Sequence, residues 1–370
     1  MIATWAIVAG GGTAGHVQPG IEIARALVAR GHSADSIHFV GSSRGIEARL
    51  VPAAGFGLTL LPGRGIVRRL SADNVAAAAG LCRAAAQALA LVRRRRPSVV
   101  VALGGYASVP CAVAAVALRV PLVVVEQNAV PGAANRLVAR FARASAVSFP
   151  GTALPRAEVT GNPVRPEILA VDRRNGRAAA RQALGLPADR RVLGVFGGSL
   201  GARRINLAVV DALRTWAWRS DLAVRHVVGE RDWDLVSDAL PPLPAGGVVY
   251  QQVRYEERMD LLMTAVDLLV GRAGGTTVAE LAAVGLPAIL VPLPIAPGDH
   301  QTANGRALER AGAAVVVPDA DLDGARLVGD VDRLLGDPSA LEAMAAAAAG
   351  CARRDAADRV AALVERHARR

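Results

Sequence analysis

The sequence of 370 residues contains no lysine, and all 43 of its basic residues are arginine. A Walker phosphate loop, a pyridoxal Schiff base and a lysine nucleophile or base are therefore excluded. Aromatic residues make up 3%, too few for the stacking platforms that hold single-stranded nucleic acid, so no nucleic-acid partner is expected. Cys82, Cys111 and Cys351 are odd in number, far apart and without a CxxC pair. Neither a disulfide framework nor a zinc knuckle follows, which fits a reducing compartment. Glycine and proline, 38 and 21 residues, stay below the level of a low-complexity chain. What is present is apolar material: 52% of the residues and a mean hydropathy of +0.32, enough to bury the sheets of two domains.

Acids are scarce in the first half. Residues 1–160 hold 17 arginines against 6 acids, whereas residues 161–370 hold 26 of each. The whole formal charge of +11 thus sits on the first half, which suggests that this half faces an anionic surface or ligand.

One uncharged run, Pro97–Leu118, covers 22 residues and is long enough to cross a bilayer. Gly104-Gly105 and Pro110 interrupt it, so it reads as a strand, a glycine turn and an alanine-rich helix. The apolar Met1–Gly10 runs into three glycines and reads as a first strand, not a leader.

Short β-branched runs alternate with Ala/Leu/Arg-rich helical stretches, the pattern of βαβ units and parallel sheets. Strands are expected near 4–9, 37–41, 99–103, 121–125 and 145–149. Helices are expected near 18–30, 44–54, 74–95, 108–118 and 132–143. Pro163 and Pro166 mark a hinge, after which the pattern restarts with a helix at 173–184 and a strand at 191–196. Further strands lie near 224–228, 247–250, 267–271, 287–291 and 314–317, and a helix near 355–369 ends the chain. Two α/β domains are expected, 1–161 with 355–370 and 162–354, with the ligand between them at the carboxyl ends of the strands.

Three glycine loops join strand to helix. The first, Gly10-Gly11-Gly12-Thr13-Ala14-Gly15-His16, satisfies GxGxxG, where glycines admit a pyrophosphate close to a helix N-terminus. A dinucleotide site needs an acid at the end of the second strand; here that strand runs Phe39-Val40-Gly41-Ser42-Ser43-Arg44. NAD is disfavoured, and Arg44 leaves an NADP-dependent oxidoreductase as an alternative. The second loop is Gly197-Gly198-Ser199-Leu200-Gly201-Ala202, and a second such loop opening the other domain argues for a bipartite nucleotide or phosphate site. In the third, Gly271-Arg272-Ala273-Gly274-Gly275-Thr276-Thr277-Val278-Ala279-Glu280, both threonines fall near the N-cap. Glu280 is either a capping-box acid or a carboxylate accepting two sugar hydroxyls.

Two acidic motifs invite metal readings. Asp232-Trp233-Asp234 spells DxD in a polar stretch before Pro241-Pro242 and is read as a solvated face. Asp319 to Asp330 mimics a calcium loop, but Ala313–Val317 before it is a strand, so helix capping by Asp321 or Asp323 is preferred.

GGGTAGHV at 10–17, GGYAS at 104–108, EQN at 126–128, GNPVR at 161–165, GGSLGA at 197–202, RAGGTTVAE at 272–280 and DHQTAN at 299–304 occur in that order. Together they resemble the MurG family of peptidoglycan N-acetylglucosaminyltransferases, across essentially the whole chain. The resemblance implies a GT-B fold: two Rossmann-like domains facing across a cleft, with the C-terminal helix crossing back to the first. It implies inverting transfer of N-acetylglucosamine from UDP-N-acetylglucosamine to lipid I, giving lipid II, with no metal or redox cofactor. It further implies a peripheral position on the cytoplasmic face of the cell membrane, where other cell-wall synthesis enzymes become possible partners. By motif, Thr13, Ala14, Gly15 and Asn128 lie against the donor's sugar and phosphate. Arg165 and Ser199 hold the diphosphate, with Thr276 and Thr277 nearby; Glu280 takes the ribose hydroxyls and Gln301 the sugar. The stretch before Met259 meets the uracil edge. The family often has His before EQN, but this chain has Val125, so no base stands there; Glu256 replaces an apolar residue that some members set against uracil.

His16 is the first candidate for the base that takes the acceptor proton, and Glu126 the second. Membrane contact is expected from Arg64, Arg68 and Arg69 among Ile66, Val67 and Leu70. A second expected cluster is Arg136, Arg140 and Arg143 on one helix face beside Leu137 and Phe141. Arg93–Arg96 are read as offsetting a helix dipole. Two rival readings share the ligand: a UDP-N-acetylglucosamine 2-epimerase, which turns over donor alone, and a non-catalytic nucleotide-sugar module.

Overall fold

The structure, a computed structural model, describes residues 4–43, 45–62, 72–198 and 201–369, and within these not the side chains of 72–79. The chain divides into two compact units, residues 1–165 with 353–370 and residues 166–352. Each is described by itself.

The first unit begins with β1 (Ala6–Gly10), α1 (Ala14–Ala29), β2 (Ile37–Ser42), α2 (Glu47–Ala53), β3 (Gly57–Leu61) and α3 (Ala72–Arg95). It continues with β4 (Val99–Gly104), α4 (Ser108–Ala117), β5 (Leu122–Glu126), α5 (Ala133–Val138), β6 (Ala144–Val147) and β7 (Ala157–Val159). Among the described residues these strands form one parallel sheet in the order β3-β2-β1-β4-β5-β6-β7. Val99, Val100 and Val101 of β4 are all fully buried, as a central strand covered on both faces requires.

The uncharged run at 97–118 is therefore β4, a glycine turn and α4. Two edge strands, β3 and β7, escape the sequence reading because both are short and partly exposed, without the apolar signal of the central strands. The helix expected at 132–143 ends at Val138. Beyond it the Arg156 guanidinium takes the carbonyls of Ala139 and Arg140, and Arg143 N–H already bonds Leu122 O. Helix α1 starts at Ala14, four residues before its expected start. Pro19 lies inside it and costs only the bond to the Gly15 carbonyl.

The second unit opens with α6 (Pro166–Leu169), α7 (Arg173–Ala183), β8 (Arg191–Phe196), α8 (Arg203–Trp216), β9 (Leu222–Val227) and α9 (Trp233–Ala239). It goes on through β10 (Val249–Val253), α10 (Met259–Ala265), β11 (Leu268–Gly271), α11 (Gly275–Val284), β12 (Ala288–Leu290) and α12 (His300–Arg310). It closes with β13 (Ala314–Val316), α13 (Gly324–Leu335) and α14 (Pro338–Gly350). Its parallel sheet runs β10-β9-β8-β11-β12-β13. Both sheets thus have the doubly wound order, with topological switch points between β1 and β4 and between β8 and β11. The two units are Rossmann-like.

The last helix, α15 (Ala356–His367), belongs to the first unit. Val360, Ala361, Leu363 and Val364 enter the core beside Val8, Val99 and Val123. Glu365 receives Arg30 and His32, whose ring stacks on Trp5 at 3.7 Å. Hydrogen bonds from Arg30 and His32 hold the Glu365 carboxyl below its usual range.

Candidate active site

The glycine motifs occupy the switch points. In the first unit the loop after β1 and the Gly104-Gly105 turn after β4 touch. A Cβ on Gly105 would stand 2.5 Å from Gly11 O, at a φ of +76° that side chains rarely adopt. Only glycine permits this approach.

Thr13 is the N-cap of α1, but its side chain accepts no capping bond; its Oγ1 lies 3.1 Å from His16 Nδ1. Ala14 and Gly15 form the first turn of the helix. The His16 ring faces Gly104: the point that a Cβ on Gly104 would occupy is 3.2 Å from His16 Nε2 and 3.4 Å from Asn135 Nδ2. The start of α1 and the start of α5 therefore converge on one glycine.

Glu126, at the end of β5, is buried and fully engaged. Oε1 accepts from Asn128 N and Nδ2 at 3.0 and 3.2 Å, and Oε2 from Gly132 N and Asn135 Nδ2 at 3.0 and 2.9 Å. A carboxylate offers about four lone-pair directions, and all four are taken. Glu126, the second candidate base, shapes the loop that carries Asn128. Arg165 is half-buried and is the last residue of this unit before α6.

Glu47 and Asn135 were not found from the sequence. Glu47 Oε2 accepts from Gly12 N at 2.9 Å and Oε1 from Ser42 N at 2.6 Å. In a dinucleotide fold the amides of that first glycine turn face a pyrophosphate. Here the Gly12 amide is committed to an internal carboxylate that also fills the end of β2, which argues against the NADP alternative; Arg44 itself lies outside the described residues. The signal for Glu47 was the rarity of acids: in the acid-poor first half, Glu22, Glu47 and Glu126 are all buried.

In the second unit, Ser199 lies outside the described residues. Helix α11 is capped by Gly274 without a side-chain bond, so Thr276 and Thr277 are its second and third residues, not caps. A capping box would need its acid three residues after the cap; Glu280 lies a turn beyond, 5% exposed, so the capping reading fails. Thr276 Oγ1 is buried and meets no hydrogen-bond partner among the described residues. Gln301, in the first turn of α12, accepts from Leu293 N at 3.0 Å through Oε1. Asn304 ties the same helix to Ala273 O before α11. Glu256 is buried, paired with Arg225 at 2.8 Å and accepting from Arg258 N, so its side chain is turned inward.

The DxD reading needs correction. Asp232 ends the short 3-10 turn Glu230–Asp232 that follows β9 and is wholly buried, whereas Asp234 is exposed. Its oxygens accept from Arg203 Nε at 3.0 Å, Arg231 Nη2 at 3.2 Å and Asn206 Nδ2 at 3.2 Å. Burial pushes this carboxyl up, but the bonds from Arg231 and Arg203 outweigh it and hold the carboxyl below its usual range. In the calcium-like stretch Asp323 caps α13 through Arg326 N, and Asp319 pairs with Arg272.

The glycosyltransferase family 28 N-terminal domain matches residues 6–147, and the family's C-terminal domain matches residues 192–360. The chain belongs to glycosyltransferase family 28. A relative from a Nocardioides species (strain JS614) is 46% identical over 97% of this chain and 96% of its own. One from Acidothermus cellulolyticus is 43% identical over 98% and 97%. Both are named UDP-N-acetylglucosamine–N-acetylmuramyl-(pentapeptide) pyrophosphoryl-undecaprenol N-acetylglucosamine transferase. The crystal structure of MurG from Acinetobacter baumannii matches with a TM-score of 0.77 and 27% identity, over 98% of this chain and 99% of that one. As a family 28 member the protein is a glycosyltransferase, and its two parallel sheets are those of the GT-B fold.

Proposed function

We propose that the protein transfers N-acetylglucosamine, with inversion, from UDP-N-acetylglucosamine to the muramyl sugar of undecaprenyl-pyrophosphoryl-MurNAc-pentapeptide (lipid I). The product is lipid II for peptidoglycan synthesis. The near-full-length identity to transferases of that name carries the reading. In the reaction the acceptor hydroxyl attacks the anomeric carbon, the bond from that carbon to the diphosphate breaks, and its electron pair leaves with UDP. His16 Nε2 takes the hydroxyl proton, which suits a neutral imidazole near neutral pH and contributes ~10²–10⁴ in rate.

The departing diphosphate needs fixed positive potential, supplied by the N-terminus of α11, Arg165 and Ser199. The orphan Thr276 hydroxyl supports a ligand contact at that helix start, with Thr277 next to it. Glu280 accepts the ribose hydroxyls. Gln301, whose carbonyl is already used, offers its amide N–H groups to the sugar, and in the first unit Asn128 and the Thr13-Ala14-Gly15 turn are assigned to the donor's sugar and phosphate. The first unit serves the acceptor and the second the donor. The fit needs no metal: the Asp232 carboxylate is already consumed by two arginines and an amide.

The enzyme works peripherally on the cytoplasmic face of the membrane. No helix among the described residues is long and apolar enough to cross a membrane. Exposed Leu137 and Phe141 beside exposed Arg136, Arg140 and Arg143 support contact with an anionic leaflet. The cluster at Arg64, Arg68 and Arg69 lies outside the described residues.

Radiolabelled UDP-N-acetylglucosamine and a lipid I analogue test the reaction: the label is expected in the lipid fraction after chromatography. Label that stays water-soluble would remove the transferase reading, and turnover of donor without acceptor would favour the 2-epimerase.

A further inference from the structure

Glu47 is the first residue of α2, is 1% exposed, and has no part in the transfer described above. Its carboxylate joins two backbone strands: Ser42 N at the end of β2 and Gly12 N in the turn after β1. Three glycines make the room for it. A Cβ on Gly11 would stand 2.4 Å from Oε1, one on Gly41 2.3 Å from Cγ, and one on Gly45 2.0 Å from Oε2. An acid at the start of a helix ordinarily answers that helix's own amides. This one answers amides outside α2, across 35 residues in the case of Gly12.

The glycine turn is thereby held from two sides. Gly11 O is pressed against Gly105 of the β4 turn, and Gly12 N is tethered to Glu47 on the β2 side. Gly12 is followed by Thr13, whose hydroxyl holds the His16 ring. A displacement at Gly12 is therefore passed to the imidazole. The geometry points to Glu47 as the positioning residue that sets the first glycine turn, and through it His16, for proton transfer. This inference rests on the reaction proposed above.

Glu47→Gln keeps the size of the side chain and one acceptor oxygen but turns an NH2 group towards one of the two N–H donors. The tighter Ser42 bond is the one retained, so Gly12 is released. A misplaced base costs about 10-fold or more in kcat, while the KM for UDP-N-acetylglucosamine stays within about 2-fold of wild type. Deuterium uptake across residues 10–17 rises. Gly45→Ala, which drives a Cβ into the carboxylate without touching its charge, reproduces the same split and decides the matter if Glu47→Gln does not fold. A lowered melting temperature with unchanged kcat per folded molecule and unchanged uptake at 10–17 would overturn the inference. If the wild-type enzyme transfers no sugar, the reaction reading falls by itself, and the uptake at 10–17 still judges the tether.

Discussion

The hydroxyl of Thr13 sits 3.1 Å from His16 Nδ1 and so grips the imidazole at one nitrogen. The base role proposed for His16 needs the tautomer in which Nδ1–H donates to Oγ1, leaving the lone pair on Nε2, the atom on the Gly104 side of the ring. His16→Ala should lower kcat by about 100-fold or more, and Thr13→Val, which frees the ring without removing it, by about 10-fold. Donor KM should move by less than about 2-fold in His16→Ala and rise in Thr13→Val, whose residue is also assigned to the donor. Steady-state kinetics with saturating acceptor decides, and an unchanged kcat in His16→Ala would take the residue out of the chemistry.

A pH dependence of stability follows from a buried network in the second unit. Asn206 Nδ2 is committed to Val228 O and Asp232 Oδ2, so Asn206 Oδ1 must accept from His226 Nε2 at 3.0 Å. His226 Nδ1 then accepts from the Tyr250 hydroxyl at 3.1 Å, and the ring is neutral. Burial pushes its pKa down from 6.5 to about 3. His38, buried and beside Arg95 and Arg94, is pushed down to about 4. As pH falls from 6.5 through these values, the unfolded chain takes up protons that the folded chain refuses, and stability is lost. The slope is at most about 1.4 kcal/mol per pH unit for each such proton. Melting temperatures between pH 7 and pH 5 should fall in the wild type and fall less steeply in His226→Gln. Parallel curves would assign the loss to other groups.

Asp232 holds Arg203, Arg231 and Asn206 together just behind the second glycine loop, where a Cβ on Gly201 would stand 3.7 Å from its Oδ2. Removing that charge leaves Asn206 Nδ2 with an unmatched donor in the interior, at a cost of about 1–3 kcal/mol. Asp232→Ala should therefore lower the melting temperature clearly. Exhaustive treatment of the wild type with a chelator should leave the transfer rate within about 2-fold. A rate regained only on adding magnesium or manganese would give the DxD carboxylates a metal role after all.

The loops were legible because each announces itself locally: glycines between a β-branched run and an apolar helix put Gly10–Gly15 and Gly271–Gly275 where the folded chain has them. What stayed hidden depends on partners remote in sequence. Glu47 is tied to Gly12, 35 residues earlier, and Asp232 to Asn206 and Arg203, 26 and 29 residues earlier. A polar stretch and a buried anchor look alike until those arginines are in place. Asn135 likewise reads as an ordinary helix residue until its amide is seen on Glu126. Thr276 and Thr277 follow the N-cap of α11 closely, and the cap itself is Gly274, a position that threonine and glycine fill about equally well.

Membrane contact can be tested on residues that no step of the chemistry uses. Leu137 and Phe141 are 52% and 62% exposed, and Val113 on the adjoining α4 is 54% exposed. Because α5 stops at Val138, Arg140 and Arg143 lie beyond the helix rather than on one face of it, yet both are exposed, as is Arg136. Basic groups beside an anionic leaflet contribute about 1 kcal/mol each, so three arginines give a docking that is reversible and sensitive to salt. In co-sedimentation, vesicles containing phosphatidylglycerol should retain the protein, and neutral phosphatidylcholine vesicles should retain far less. High salt should release it. Arg136→Glu with Arg140→Glu should reduce retention about 10-fold or more, and Phe141→Ser should reduce it without changing its salt dependence. Donor KM with a short-chain soluble acceptor should be the same in all variants. Retention indifferent to anionic lipid and to salt would show that this surface is not the one that meets the membrane.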